Sequence, residues 1–345
     1  MFTVNEILTM KEPGDLFSDS RTIKEEYHKL TKYWHPDFNF NSKESQDVMA
    51  KVNELYFKGL DLMKNGTWKA DGFIRISGKD NKVYELKYHI FHNFELGAMY
   101  IGNTAVLYLI DENNKDLYEN AIKIIDNFTY ADSGMKEEVS KYLPKILGRF
   151  ETKDNKLGIV IQKTSDLFLL KDVLDYFDGN IPEKHAAWIL SSLYNLVCYL
   201  DYAELSHNSI SLKNYFVSPE GHSGALLGGW WYAVPQGEKM LGVTEETYSI
   251  MPPKVKNTKV GDISTDLESI RLIGRKLLGD KNGTNLNSKS FIPIPMINWV
   301  RGVSSSKAVE DYENWMKCLY DSFGERKFTI MNLNDTQLYE KVKKF

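Results

Sequence analysis

The sequence predicts an α+β fold: an all-α helical hairpin at the N-terminus, then a β-rich segment, then a helical one. Three observations predict it. Apolar residues recur at helical spacing as far as Lys64, the period drops to two from Phe73, and helical spacing returns over Glu183–Ala203. An apolar fraction of 42%, with 17 Phe and 20 Tyr, is enough to build cores on that plan.

The N-terminal pattern is two-faced. Ile23, Tyr27, Leu30 and Trp34 fall on one side of a helix over residues 22–33, while Arg21, Lys24, His28 and Lys32 form a basic side. Pro36 disfavours helical backbone at His35 and ends the element. A second helix over residues 44–64 carries Val48, Val52, Leu55 and Leu62 on its apolar face, with Met49, Tyr56, Leu60 and Met63 beside it. Asn65-Gly66-Thr67 is a turn cluster that marks a boundary.

Two helices joined by a loop carrying His35-Pro36-Asp37 resemble a J domain, with a short leading helix around Asn5–Met10 and the Asn53-Glu54-Leu55-Tyr56 stretch agreeing. The resemblance implies that His35, Pro36 and Asp37 signal to a DnaK-type chaperone and stimulate its ATPase. Lys24, His28 and Lys32 would then be the electrostatic docking face.

Downstream, Phe73–Ile76 and Val83–Leu86 flank Gly78-Lys79-Asp80-Asn81, a hairpin signal. A strand is expected over Thr104–Ile110, another over Asn120–Ile125, a helix over residues 134–147, and a buried strand over Gly158–Gln162. Helices follow at Leu169–Phe177 and Glu183–Ala203. The chain then enters His207-Asn208-Ser209-Ile210-Ser211-Leu212-Lys213-Asn214, a short hairpin, and Leu226-Leu227-Gly228-Gly229-Trp230-Trp231.

That order resembles a bilobal protein kinase with a β-rich N-lobe and a helical C-lobe. His207 and Asn214 match the ends of the His-Arg-Asp…Asn catalytic loop, and Lys123 in its Ala-Ile-Lys context matches the strand lysine of Val-Ala-Ile-Lys. The resemblance implies Glu137 as the partner of Lys123, with Glu138 as fallback, Gln162-Lys163-Thr164 as hinge and Asp266 as a brace for the loop. Tyr248-Ser249-Ile250-Met251-Pro252-Pro253 matches the end of an activation segment, with Lys254 where a Glu is usual. Residues 310–323 form a last helix. The implied organisation is a J domain over 1–66, a linker over 67–72, a kinase-like domain over 73–330 and a tail over 331–345, in which Lys341 to Lys344 read as a solvated end. Fusions of these two modules occur in bacteria and their phages.

The kinase chemistry is missing. Ser209 stands at the position of the catalytic Asp, and Gly228 or Gly229 at the position of the magnesium-binding Asp. A neutral amide such as Asn214 is a poor lone ligand for a hard dication. The expectation is a pseudokinase with no catalytic residue and no resident metal or cofactor. ATP binding without magnesium is left open through Lys123, Glu137, Gln162, Lys163 and Asn214. The function expected is a non-catalytic co-chaperone that recruits a DnaK-type chaperone and binds a protein client; the alternative is an atypical ATP-binding transferase using Lys123, Glu137 and Asn214.

Composition excludes other classes. A net charge of −4 with no dense basic stripe argues against nucleic acid as a partner. No apolar run approaches the ~20 residues of a membrane span, and no secretory h-region is seen. Cys198 and Cys318 read as buried thiols of a reducing compartment, so the cytoplasm is expected. His89 and His92 have metal-like spacing without a second pair and read as strand packing. Asp201 and Glu204 read as a solvated helix end, and His222 as a surface turn.

Overall fold

The computed structural model describes residues 3–10, 13–17, 23–35, 43–64, 72–325, 327 and 329–343. Pro36 and Asp37, Arg21, and the expected linker as far as residue 71 lie outside the described residues. The chain divides into two compact units, one of Met1–His92 with Met99–Asn103 and Glu151–Lys153, the other of Asn93–Ala98, Thr104–Phe150 and Asp154–Phe345.

The first unit is built on four helices, α1 (Val4–Thr9), α2 (Pro13–Leu16), α3 (Ile23–Trp34) and α4 (Lys43–Lys64). Ile7, Leu16, Phe17, Ile23, Leu30, Val48, Val52 and Leu55 form its core, so the faces expected from helical spacing are the faces buried. The Tyr27 ring stacks on Tyr56 at 3.9 Å, and its hydroxyl donates to Asn53 Oδ1 at 2.9 Å. Lys24, His28 and Lys32 stay exposed. Thr3 and Glu6 form a capping box on α1, which offsets two orphan amides of that short helix.

The expected hairpin forms as β1 (Gly72–Ser77) and β2 (Val83–Tyr88), antiparallel, with Asn81 in the left-handed region at φ 62°. It is a two-stranded sheet of its own. Arg75 reaches Glu6 at 2.8 Å and Lys87 pairs with Asp15, joining hairpin and helices within this unit.

The main sheet has five strands in the order β3 (Ile90–Phe94), β4 (Gly97–Ile101), β5 (Ala105–Asp111), β7 (Lys156–Gln162) and β6 (Ile146–Glu151). β5 and β7 pair antiparallel over their full length. Both read as near-continuous apolar runs because both are buried.

Between β5 and β6 lie α5 (Lys115–Asp126) and α6 (Ser133–Val139). The strand expected at Asn120–Ile125 is therefore corrected to helix. Its buried positions are Tyr118, Ala121 and Ile124, spaced by three, and the Tyr118 hydroxyl donates to the Gly158 carbonyl of β7 at 3.2 Å. The helix expected over residues 134–147 also stops early, at Val139, followed by one 3-10 turn before β6.

The C-terminal part is helical. α7 (Leu170–Tyr176), α8 (Glu183–Tyr202), α9 (Glu245–Ile250), α10 (Pro253–Thr258), α11 (Ile263–Leu277), α12 (Ile294–Arg301) and α13 (Ala308–Phe323) lie where helical spacing expects them or fill the connections between. The short strands β8 (Phe168–Leu169), β10 (Tyr215–Ser218) and β11 (Ser223–Leu226) form one sheet, and β9 (Leu205–Ser206) pairs with β12 (Val234–Pro235). The expected solvated tail is corrected too: α14 (Asp335–Val342) buries Leu338, Tyr339 and Val342, and Lys341 donates to the Tyr176 carbonyl and Asp178. Asp201 is not a solvated end either, since it accepts from the backbone of Ala308 at the start of α13 and from Gln236.

Three helices meet at a buried ion pair. Arg271 and Asp311, 2% and 1% exposed, approach to 2.6 Å, and Tyr194 donates to the other carboxylate oxygen at 2.5 Å. Ser305 N–H also donates to Asp311, and the guanidinium lies 3.6 Å from the Trp299 ring. Removing one partner of such a pair strands a charge out of water. Asp311→Ala is expected to cost about 3–5 kcal/mol in chemical denaturation, read on the transition of the second unit; a loss under about 1 kcal/mol would contradict this account.

Candidate functional site

The loop from His207 to Asn214 is held from below by one carboxylate. Asp266, on α11, accepts from the backbone N–H of His207 at 2.7 Å and of Asn208 at 2.9 Å, one per oxygen. This is the bracing role the resemblance implied for it. Asn208 sits at φ 58° and ties its side chain to the carbonyls of Ser206 and Tyr232, so it closes the turn by itself.

The His207 ring is fully buried and burial lowers its pKa to about 3. Its Nε2 lies 3.0 Å from the Gly228 carbonyl, which can only accept, so the neutral ring carries its proton on Nε2. The ring packs edge-on against Trp230 at 4.7 Å, and Trp230 in turn donates to the Leu226 carbonyl. His207 is thus a packing and tethering residue between loop and glycines.

Asn214 is equally committed. Its amide donates to the Ser209 carbonyl at 2.7 Å and the Ser209 hydroxyl at 2.9 Å. Ser209 is itself 1% exposed, a short side chain that caps its own loop through Asn214.

The glycines leave no room for a carboxylate. A Cβ on Gly228 would stand 2.5 Å from the Tyr108 hydroxyl and 3.0 Å from the Asn214 amide oxygen. A Cβ on Gly229 would stand 2.6 Å from the His207 ring, at φ 84° where L side chains are strained. Above them three aromatic rings close the space. Phe94 of β3, Tyr108 of β5 and Trp231 lie with ring centroids 5.1 to 5.8 Å apart. Tyr108 and Trp231 are 2% and 3% exposed. Asn120 of α5 holds this turn from the far side, donating to the carbonyls of Trp231 and Ala233 at 3.1 and 2.8 Å.

Sequence reasoning missed Tyr108, Phe94 and Asn120. The strand over Ala105–Asp111 was expected, but it is buried on both faces, so nothing in its pattern marks Tyr108 out.

Of the five residues considered for ATP, Lys123 is exposed on α5 and Glu137 is exposed on α6, with no ion pair between them. Gln162 and Lys163 lie together just past β7, where Gln162 N–H donates to the Lys145 carbonyl and Lys163 N–H to the Thr104 carbonyl. Asn214 is apart, in the loop. Around the two glycines the nearest side-chain atoms belong to Tyr108, His207 and Asn214, none of them a carboxylate or a cation.

Lys254 pairs with Asp262 at 3.8 Å, while the segment before it is tied instead by Glu246 to Lys276. Among the described residues no group of three His, Cys, Asp or Glu side chains could hold a metal, His89 and His92 included. Cys198 and Cys318 are free thiols, both pushed up to about 11 by burial. No described helix is long and apolar enough to cross a membrane.

No family model matches the sequence. No curated protein matches it either. Among solved structures, that of vaccinia related kinase 3 aligns over 72% of this chain and 90% of its own, at 16% identity and a TM-score of 0.47. So faint a likeness leaves the case to the geometry.

Two outcomes follow from this packing. Gly229→Asp is expected to destabilise the second unit by at least about 1–3 kcal/mol and to give no magnesium-dependent melting shift with ATP; a stable variant that gains such a shift would contradict the packing. Burial raises the Asp266 carboxyl to about 7, against its two amide donors. A folded pKa above the unfolded value gives stability that is complete below about pH 4 and lost as pH rises through the folded pKa, near 7. Between pH 5 and 8 the wild type should therefore lose melting temperature more steeply than Asp266→Asn; parallel slopes would contradict it.

Proposed function

We propose that this chain is a non-catalytic co-chaperone: its first unit is a J domain that recruits and stimulates a DnaK-type chaperone, and its second is a kinase-like module that binds a protein client. The observation that carries the second half is the filled site. The loop, its buried Asp266 brace and the glycine turn keep the layout of a kinase, with a helix between the third and fourth sheet strands. Tyr108 takes the place of the strand lysine, Asn120 lies on the helix that would carry its glutamate, and the two Asp positions are Ser209 and a glycine. Phosphoryl transfer needs positioned metal and carboxylate, and neither has a place here. What remains is a rigid scaffold whose surface is free to serve recognition.

For the first unit, support comes from α3. It buries Ile23 and Leu30 and presents Lys24, His28 and Lys32 on the opposite side. That helix ends at Trp34, directly before His35-Pro36-Asp37 in the sequence. A cationic helix leading into such a loop suits an acidic docking face on the chaperone. Such an encounter belongs in the cytoplasm, where that chaperone turns over ATP.

The transferase reading draws no support from this geometry, since Lys123 and Glu137 are surface residues and the Asn214 amide is spent on Ser209.

Adding the full chain to a DnaK-type chaperone and ATP should raise steady-state hydrolysis several-fold, measured by phosphate release. His35→Gln should abolish the rise, and Lys24→Ala with Lys32→Ala should weaken it most at low salt. Equal rates with wild type and His35→Gln would overturn the proposal.

A further inference from the structure

Behind the Gln162–Thr164 connection lies a cleft of about 620 Å³ that the filled kinase-like site does not use. Neither Phe94, Tyr108 nor Trp231 lines it. Its size lies within the range of small-molecule sites, roughly 300–1,000 Å³.

Its charge is unlike that of the chain around it. On a protein of net charge −4, the cleft is lined by Lys136, Lys141, Lys145, Arg149 and Lys163. The single carboxylate on its wall is Asp126, which holds Arg149 through contacts of 2.6 and 2.7 Å. Glu137 and Glu138, although on α6 with Lys136, do not line it. Arg149 is engaged by Asp126 and Lys163 feels Asp166 and Asp335, so Lys136, Lys141 and Lys145 carry most of the excess positive charge.

The cations converge from separate elements. Lys136 comes from α6, Lys141 from the 3-10 turn after it, Lys145 from the entry to β6, and Lys163 from the exit of β7. Lys145 and Arg149, four apart along an extended chain, share a face. Phe128, Tyr130 and Leu143 supply apolar walls. Walls of low polarity focus the field of the lysines into the cleft instead of letting water disperse it.

Lys163 makes the site a built one. It is 4% exposed, donates to the Thr164 carbonyl at 2.9 Å, and feels Asp166 and Asp335. Burial lowers its pKa to about 8. An ammonium kept this dry gains from an incoming anion, because the anion restores the solvation that burial removed.

We propose that this cleft binds a small, multiply charged, phosphate-bearing anion, held chiefly by Lys141, Lys145 and Lys163. Lysines act as mobile point charges suited to phosphate oxygens, and three of them in one concavity suit several phosphate charges better than one carboxylate. The inference is independent of chaperone recruitment: the cleft adjoins the glycine turn through Leu227 and Phe128, lies in the second unit, and its readout involves no chaperone.

The test is calorimetric titration of the full chain with inorganic tripolyphosphate, with ATP lacking magnesium, and with adenosine. Tripolyphosphate and ATP are expected to bind alike and adenosine not at all. The double variant Lys141→Ala/Lys145→Ala, both positions exposed so that melting should not change, is expected to weaken binding at least tenfold. Lys123→Ala, outside the cleft, is expected to leave it unaltered. No heat with tripolyphosphate, binding of adenosine alone, undiminished affinity in the double variant, or an equal loss in Lys123→Ala would each overturn the proposal.

Discussion

Asp266 is the constraint on which the second unit depends. Its two carboxylate oxygens take the backbone amides of His207 and Asn208, and no other group is placed to satisfy both. Fixing those amides fixes the loop. The loop then aims His207 at the Gly228 carbonyl and Asn214 at Ser209, and these two side chains in turn set the space left above the glycines. A single buried acid thus sets the geometry of the whole loop. Its cost is desolvation, which shows in the raised carboxyl pKa; the offset is a pair of charge-assisted bonds in a place water does not reach.

The aromatic trio is a consequence of that frame. With no side chain at Gly228 or Gly229, the turn can approach Tyr108 and His207 closely enough for Trp230 and Trp231 to fold inward. Trp230 fills the space beneath, against His207 and Phe128, and Trp231 the space above, against Phe94 and Tyr108. Burying rings of this size, with the Trp230 indole N–H donating to the Leu226 carbonyl, stabilises the turn. Phe128 belongs to both regions, packing on Trp230 and lining the lysine cleft, so the cleft adjoins the glycine turn.

Much of this was legible in the sequence, and the failures have physical causes. Helical spacing located α3, α4, α7 and α8 because their apolar positions recur at helical intervals. The contact of Asp266 with the loop was readable because a loop with fixed spacing carries its own register. The third strand was misplaced. Ala121-Ile122-Lys123 looks like strand text, being rich in β-branched residues, but its burial follows Tyr118, Ala121 and Ile124, a helical period that a short window hides. Tyr108 was overlooked for the same reason: in a strand buried on both faces nothing alternates, so no residue stands out. The tail was misread because Leu338, Tyr339 and Val342 form a stripe too short to outweigh the lysines around it. The basic cleft could not be foreseen at all, since its cations lie on four elements and only folding brings them together.

The central claim is that the space above Gly228 and Gly229 is closed by the protein's own side chains. It is tested most directly by amide hydrogen exchange of residues 104–110 and 229–234, with and without magnesium and ATP. The account predicts identical, strong protection in both conditions, since Phe94, Tyr108 and Trp231 already fill the volume. Nucleotide-dependent slowing of exchange in both segments would show that the rings move aside for a ligand, and would contradict it.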